Sequence, residues 1–141
     1  MKSPPSEAAG FASLGLSTPL VGAVTALGYE EPTPIQREAI PVLISGSDML
    51  GQAATGTGKT AAFALPLLDK LSRDSKIGRG KVRALVLVPT RELAMQVAEA
   101  LHKYAKGSNL NVVPVYGGAP MDHQIRALRN ALTRRGMHVT R

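Results

Sequence analysis

The sequence has 141 residues, 44% hydrophobic and 19% charged, which is typical of one modest globular domain. It contains no cysteine, which excludes a disulfide framework and a thiolate metal site. The formal net charge of +7 favours polyanionic partners, although many basic proteins bind no nucleic acid. No apolar run approaches the roughly 20 residues that span a bilayer. The polar start has no apolar signal segment, which predicts a cytoplasmic protein without membrane attachment.

The first part of the chain is predicted to be a flexible terminus followed by two helices. Residues 1–10 are rich in Pro, Ser and Ala and are expected to be loose. Residues 17–19, Ser-Thr-Pro, can start a short helix that Gly28 ends. Residues 33–34, Thr-Pro, repeat this start signal, and a second helix is expected to run up to Gly46.

Alternating strands and helices are predicted after this point. Residues 48–52 are expected to form a short strand, and a helix should run from Thr60 to about Leu71. The continuous apolar run at residues 84–88 predicts a buried parallel strand. Thr90 is expected to cap the helix that follows this strand.

A third strand is predicted at residues 112–116, where Pro114 requires an edge position or a bulge. Gly117 and Gly118 end this strand, and a last helix begins near Met121. Because strands and helices alternate, the sequence predicts an α/β fold with a parallel sheet.

The glycine-rich stretch between the first strand and its helix has the features of a phosphate-binding loop. Gly56 and Gly58 permit the backbone dihedrals and the close approach that a phosphate requires. Lys59 supplies a positive charge, and the Thr60 hydroxyl is a candidate Mg²⁺ ligand. The alternative is an ordinary glycine-rich turn, because Ala53 stands where glycine is usual. The residues predicted to bind a nucleoside triphosphate here are Ala53, Ala54, Thr55, Gly56, Thr57, Gly58, Lys59 and Thr60.

The loop has the form Ala-x-Thr-Gly-x-Gly-Lys-Thr, which resembles motif I of the DEAD-box RNA helicases. Three other motifs of this family match in chain order. Phe11 with residues 28–36 resembles the Q motif, and residues 89–94 resemble motif Ia. Gly117–Gly118, followed by Gln124 and Leu128, resembles the double-glycine segment. The resemblance covers residues 11–128. It implies an incomplete RecA-like P-loop NTPase domain, in which helices flank the parallel sheet.

The resemblance implies that the nucleotide is ATP, bound with Mg²⁺. Gln36 would read the adenine edge, since a carboxamide offers both a donor and an acceptor. Tyr29 would pack on the base, Thr33 would hold its segment near motif I, and Phe11 would support that segment. Taken alone, Gln36 and Tyr29 are a surface polar residue and a half-buried aromatic residue. Lys59 and Thr60 are the catalytic residues that the resemblance implies.

The resemblance also implies RNA as a partner. Residues that would contact the sugar-phosphate backbone, with little sequence selectivity, are Pro89, Thr90, Arg91, Gly117 and Gly118. For two of them a simpler interpretation stays open. Thr90 can be a plain N-cap, and Arg91 with Glu92 can be a solvated ion pair.

Several family motifs are absent from this sequence. It contains no Asp-Glu-Ala-Asp run, no Thr-Pro-Gly segment after the double glycine, no Ser-Ala-Thr motif and no second RecA-like domain. Residues 129–141 depart from the family pattern and are interpreted as an atypical tail at a truncation or frameshift. We therefore expect the isolated chain to lack robust ATP hydrolysis. The resemblance implies that missing strands would lie between those present, so that the strands lack several ladder partners. We therefore expect the isolated chain to be marginally stable, prone to aggregation or dependent on a partner.

Two other functions stay open at this point. The chain can be a non-catalytic product that binds nucleotide or RNA without turnover. It can also be a different P-loop NTPase, such as a DNA helicase or recombinase, although Gln36 and residues 89–94 count against this. The sequence leaves the oligomeric state open.

Overall fold

The structure is a computed structural model that describes residues 10–74, 81–133 and 136–140. The predicted flexible terminus lies outside the described residues, except for Gly10. The chain divides into two compact units, the first ending at Lys70 and the second beginning at Leu71. Among the described residues, no helix combines the length and apolar character needed to cross a membrane.

The first unit begins with a short 3-10 helix, Phe11–Leu14, followed by α1 (Thr18–Ala26) and α2 (Pro34–Ile44). Both helices start where predicted, with Pro at the first or second helical position and Ser17 or Thr33 before it. Each helix packs against the 3-10 helix. Apolar side chains from all three elements form the core; among them are Phe11, Leu14, Leu20, Val24, Ala39 and Ile40.

Gly28 ends α1, as predicted, through a pair of backbone hydrogen bonds. Its φ is +86°, a value that favours glycine, and its N–H donates to Thr25 O over 3.0 Å. The N–H of Tyr29 donates to Val24 O, also over 3.0 Å. These two bonds form a Schellman motif. The motif fixes the direction in which the chain leaves α1 and therefore places Tyr29.

The strand predicted at residues 48–52 is wrong, because this segment has no regular secondary structure. A strand exists only through ladder hydrogen bonds to a neighbour, and in the described part of the chain the three strands pair only with one another. Leu50 is 99% exposed. The helix expected from Thr60 to about Leu71 is confirmed as α3 (Lys59–Arg73).

The second unit is built on a parallel sheet of β1 (Val82–Leu87), β2 (Asn111–Val115) and β3 (Gly136–Thr140). The strand order is β1-β3-β2, and both pairings are parallel. Pro114 therefore lies on an edge strand of the described sheet, as its missing N–H requires. The predicted α/β fold with a parallel sheet is confirmed.

Two helices complete the second unit: α4 (Arg91–Tyr104) and α5 (Met121–Thr133). Both lie against β2 and β3. Val97, Leu101 and Tyr104 form part of the buried face of α4. Because neither helix covers β1, the burial predicted for residues 84–88 is wrong. Leu85 is 60% exposed and Leu87 69% exposed.

Strand β3 is the element that the sequence analysis missed. It occupies the centre of the described sheet, where Val139 pairs with Val86 on one side and with Pro114 on the other. Its sequence, Gly-Met-His-Val-Thr, is short and lacks a continuous apolar run. Part of the segment interpreted as an atypical tail therefore supplies ladder partners to both other strands. The interpretation of residues 129–141 as a truncation or frameshift stays a prediction.

Candidate functional site: a glycine loop and a double-glycine turn

The glycine-rich loop lies in the first unit and leads directly into α3, whose first residue is Lys59. Its glycines have the left-handed backbone that the sequence predicted, with φ of +80° at Gly56 and +85° at Gly58. A Cβ added to Gly56 would meet no atom within 4 Å, so the loop is open at this point. The loop thus combines an accessible glycine backbone with the positive end of a helix, the arrangement that suits phosphate groups.

Gly58 is the position where another chain segment touches the loop. The Gln36 side chain donates from Nε2 to the Gly58 carbonyl oxygen over 3.1 Å and accepts from the Thr33 backbone N–H over 3.0 Å. Gln36 is 1% exposed, so this bridge is buried. The hydroxyl Oγ1 of Thr33 is also buried and has no hydrogen-bond partner among the described residues. In this structure the side chain that links the Q motif to the glycine loop by a hydrogen bond is Gln36 and not Thr33.

The structure brings Phe11 into contact with Tyr29, a residue of the Q-motif segment that Phe11 was expected to support. Their rings meet edge to face, with centroids 6.3 Å apart and an angle of 86° between their planes. Phe11 is buried and Tyr29 is 39% exposed. The buried Phe11 ring thus packs against Tyr29, which itself stays partly exposed.

The predicted catalytic residues open α3. The Lys59 ammonium donates to the Ala53 carbonyl oxygen over 2.6 Å, so the side chain closes the loop on itself. Thr57 Oγ1 donates to Ala54 O, also over 2.6 Å, and fixes the turn. Thr60 is half-buried in the first turn of α3. Among the described residues, His, Asp and Glu side chains form no group of three or more that could hold a metal ion.

The second unit holds the residues that the resemblance assigned to RNA. Pro89, Thr90 and Arg91 are exposed where β1 passes into α4. Thr90 caps α4, since its Oγ1 accepts from the Leu93 N–H over 3.2 Å, as predicted. Arg91 Nε donates to Glu92 Oε1 over 2.9 Å. This hydrogen bond and the negative charge of Glu92 raise the pKa of Arg91 above its ordinary value.

The structure places motif Ia beside the double glycine. A Cβ added to Gly118 would lie 3.5 Å from Nη1 of Arg91, and the φ of Gly118 is +87°. Gly117 is exposed, and a Cβ there would meet nothing within 4 Å. A guanidinium group and an accessible glycine backbone therefore share one surface, as backbone recognition of a nucleic acid requires.

Sequence reasoning gave no role to Gln124, which the structure places under the double glycine. Its Oε1 accepts from the Tyr116 N–H over 2.9 Å. Its Nε2 donates to Tyr116 O over 3.0 Å and to Ala119 O over 3.3 Å. A glutamine at the fourth position of a helix gives no local signal of such a clamp. The contact depends on how α5 packs beneath the turn.

Arg83 is a charged residue on β1 whose guanidinium reaches backbone carbonyl groups. Its side chain is 1% exposed. Nη2 donates to Leu71 O over 2.7 Å and to Asp74 O over 2.9 Å, near the end of α3. Arg83 therefore binds backbone carbonyl groups, and its buried guanidinium is not part of a nucleic-acid surface.

Taken together, the parallel sheet and the glycine loop at a helix N-terminus define a RecA-like α/β domain. A family model described as DEAD/DEAH box helicase matches residues 33–139. This match covers most of the sequence, and the chain belongs to the DEAD/DEAH box helicase family.

Relatives agree with this assignment. The chain is 50% identical over 119 residues to the DEAD-box ATP-dependent RNA helicase CshA of Bacillus cereus, a match that covers 84% of this chain and 22% of that protein. A DEAD box protein from the hyperthermophile Methanococcus jannaschii matches with a TM-score of 0.80 at 36% identity, over 93% of this chain and 34% of the other. The structure of the RNA-helicase Prp28 from Chaetomium thermophilum bound to ADP matches with a TM-score of 0.77 at 39% identity. This match covers 99% of this chain and 34% of the other. The chain therefore spans about a fifth to a third of these relatives.

Proposed function

We propose that this chain is the ATP-binding portion of an ATP-dependent RNA helicase, which unwinds RNA duplexes by ATP-driven domain closure when complete. The observation that carries the proposal is the glycine loop, because its open backbone at Gly56 and its buried link to Gln36 lie in one unit. Family membership and the named activity of the relatives support it.

The residues of the loop fit a triphosphate with its Mg²⁺. The N–H groups around Gly56 and Gly58 would surround the phosphates, and the N-terminus of α3 adds about half a positive charge. Lys59 would exchange the Ala53 carbonyl for the β- and γ-phosphates, since an anionic phosphate attracts the ammonium more strongly than a neutral carbonyl does. The Thr60 hydroxyl would bind the metal ion, which neutralises the phosphate charge when present.

Adenine recognition would use the remaining capacity of Gln36. A carboxamide has two donor hydrogens and two acceptor lone pairs, and the bonds to Gly58 O and Thr33 N use one of each. The other donor and acceptor would match the adenine edge once nucleotide binding uncovers the side chain, which is 1% exposed in this structure. The accessible part of the Tyr29 ring would stack on the base. We therefore expect ATP to bind at least tenfold more tightly than GTP.

RNA would bind on the second unit, along Pro89, Thr90, Arg91 and the double glycine. The juxtaposition of Arg91 and Gly118 supports this. Contacts of this type follow the sugar-phosphate backbone, so the chain should show little sequence preference and marked salt dependence. The 141 residues contain no Asp-Glu-Ala-Asp run, so this chain by itself should bind ATP without robust turnover. We propose a cytoplasmic location and leave the oligomeric state open.

Calorimetry with Mg²⁺ and ATP tests the nucleotide site. Lys59→Ala should weaken ATP binding roughly ten- to hundredfold, because it removes a charged hydrogen bond to phosphate. Lys70→Ala is the matched control, since Lys70 is an exposed lysine on the same helix. If Lys59→Ala and the unaltered chain take up ATP equally, the loop is not the site. Equal affinity for ATP and GTP would reject the role of Gln36.

A further inference from the structure

We infer that Gln124 is a positioning residue that holds the double-glycine turn in the shape that contacts RNA. The inference rests on the proposed RNA-binding function and assigns a role to a side chain that would itself not touch RNA. The turn, defined here as residues 116–119, follows directly on the end of β2 at Val115. Its central residues are Gly117 and Gly118.

The Gln124 carboxamide forms hydrogen bonds with both ends of this turn. At the start of the turn, Gln124 forms hydrogen bonds with both the N–H and the carbonyl of Tyr116. The side chain thereby satisfies the two backbone groups that a neighbouring strand would otherwise bind. At the exit, its second donor reaches Ala119 O over 3.3 Å. No other side-chain type of this size offers two donors and an acceptor on one planar group.

The turn needs such a clamp because its own residues do little to fix it. Gly117 and Gly118 have no side chains to pack, and glycine has the largest backbone freedom in an unrestrained chain. Gly117 is exposed and its added Cβ would meet nothing within 4 Å. Without Gln124, the turn would sample many conformations, and ordering it would reduce the affinity for RNA.

The clamp also explains how the turn stays next to Arg91. An added Cβ on Gly118 would be 3.5 Å from Arg91 Nη1, so the guanidinium lies close beside the glycine backbone. A phosphate that contacts the turn could then be reached by Arg91. Gln124 fixes the position of Gly118, whereas the Thr90 cap on the first turn of α4 fixes the backbone of Arg91.

The test compares variants of the full chain by fluorescence anisotropy with a labelled single-stranded oligouridylate across a range of salt concentrations. Gln124→Ala should weaken RNA binding about tenfold with an unchanged salt slope, because no charge is lost. Arg91→Ala should weaken it and also reduce the salt slope by about 0.7. Gln124→Glu should resemble Gln124→Ala, because its carboxylate would face two carbonyl oxygens. Gln96→Ala, an exposed glutamine on α4, is the matched control and should bind normally.

Further measurements separate positioning from general destabilisation. In Gln124→Ala, ATP affinity should equal that of the unaltered chain, while amide hydrogen exchange should accelerate at residues 117–119. The inference is overturned if Gln124→Ala and Gln124→Glu bind RNA within twofold of the unaltered chain while Arg91→Ala binds weakly. It is also overturned if ATP affinity falls in step with RNA affinity. If the unaltered chain binds no RNA, or Arg91→Ala has no effect, the proposed RNA site itself is wrong and the inference ends with it.

Discussion

Gln36 donates a hydrogen bond from its buried side chain to the backbone oxygen of Gly58, over 3.1 Å. This bond joins the first turn of α2 to the glycine loop within the first unit. A Cβ added to Gly58 would overlap Gln36 Nε2 and lie 3.2 Å from Thr33 Oγ1. Gly58 is therefore required for two reasons, its left-handed φ of +85° and the close approach of Gln36.

Gly58→Ala should destabilise the chain by about 2–4 kcal/mol, the sum of a left-handed non-glycine residue and a broken buried hydrogen bond. ATP binding should fall with it, because Gln36 is displaced. Gly46→Ala is the matched control, since Gly46 has a φ of +87° but an added Cβ would meet nothing within 4 Å. We expect it to cost only about 1 kcal/mol. Urea unfolding measures both, and equal losses would show that the contact with Gln36 contributes nothing.

Asp69 provides a second buried polar link in the first unit. It lies on α3, is 2% exposed, and its Oδ1 accepts from the backbone N–H of Ser17 over 2.9 Å. Asp69→Ala should lower the free energy of unfolding by about 1–3 kcal/mol, because the Ser17 N–H loses its partner at the start of α1. Asp69→Asn keeps an acceptor oxygen and should cost less. Asp48→Ala, at an exposed position, should be neutral. If Asp69→Asn and Asp69→Ala are equally destabilising, the hydrogen bond to Ser17 is not the cause.

The sequence predicted most accurately those features that depend on residues close in the chain, such as the ends of helices. Gly28 ends α1 and Thr90 caps α4 through bonds to residues within five positions, so the local sequence contains the necessary information. The resemblance expected Phe11 to support the Q-motif segment, and in the structure its ring meets that of Tyr29 within this segment.

Features that depend on distant partners were missed. A strand at residues 48–52 requires a neighbour that the described chain does not provide, and the exposure of Leu85 reflects which strands α4 and α5 cover. The role of Gln124 is invisible without its partner Tyr116, and a buried arginine such as Arg83 resembles a surface arginine in sequence. Such features require tertiary structure.

Arg83 binds two backbone carbonyl groups within the second unit, those of Leu71 and Asp74. Arg83→Met keeps an apolar stem of similar length but removes the hydrogen bonds to Leu71 O and Asp74 O. We expect a loss of about 2 kcal/mol, since two hydrogen bonds to a charged donor are removed and part of the loss is offset by easier burial. Arg126→Met, at an exposed position on α5, should change stability by less than about 0.5 kcal/mol. Equal stability of the two variants in urea would show that the carbonyl contacts are energetically neutral.

Strand β1 gives a physical basis for the expected aggregation of the isolated chain. Among the described residues it pairs only with β3, and its other edge is open. Val82, Leu85 and Leu87 are 54%, 60% and 69% exposed. An open, apolar edge strand is a template for pairing with another chain.

Leu85→Lys should therefore reduce concentration-dependent self-association, because it places a charge on the exposed face of β1. Light scattering over a concentration series measures this effect. Met121→Lys is the control, since Met121 is 69% exposed but lies on helix α5. A single exposed apolar residue on a helix offers no backbone edge, so that variant should associate like the unaltered chain. If both variants suppress association equally, net charge and not the edge of β1 controls it. If the unaltered chain stays monomeric at all concentrations, the open edge is protected by other means.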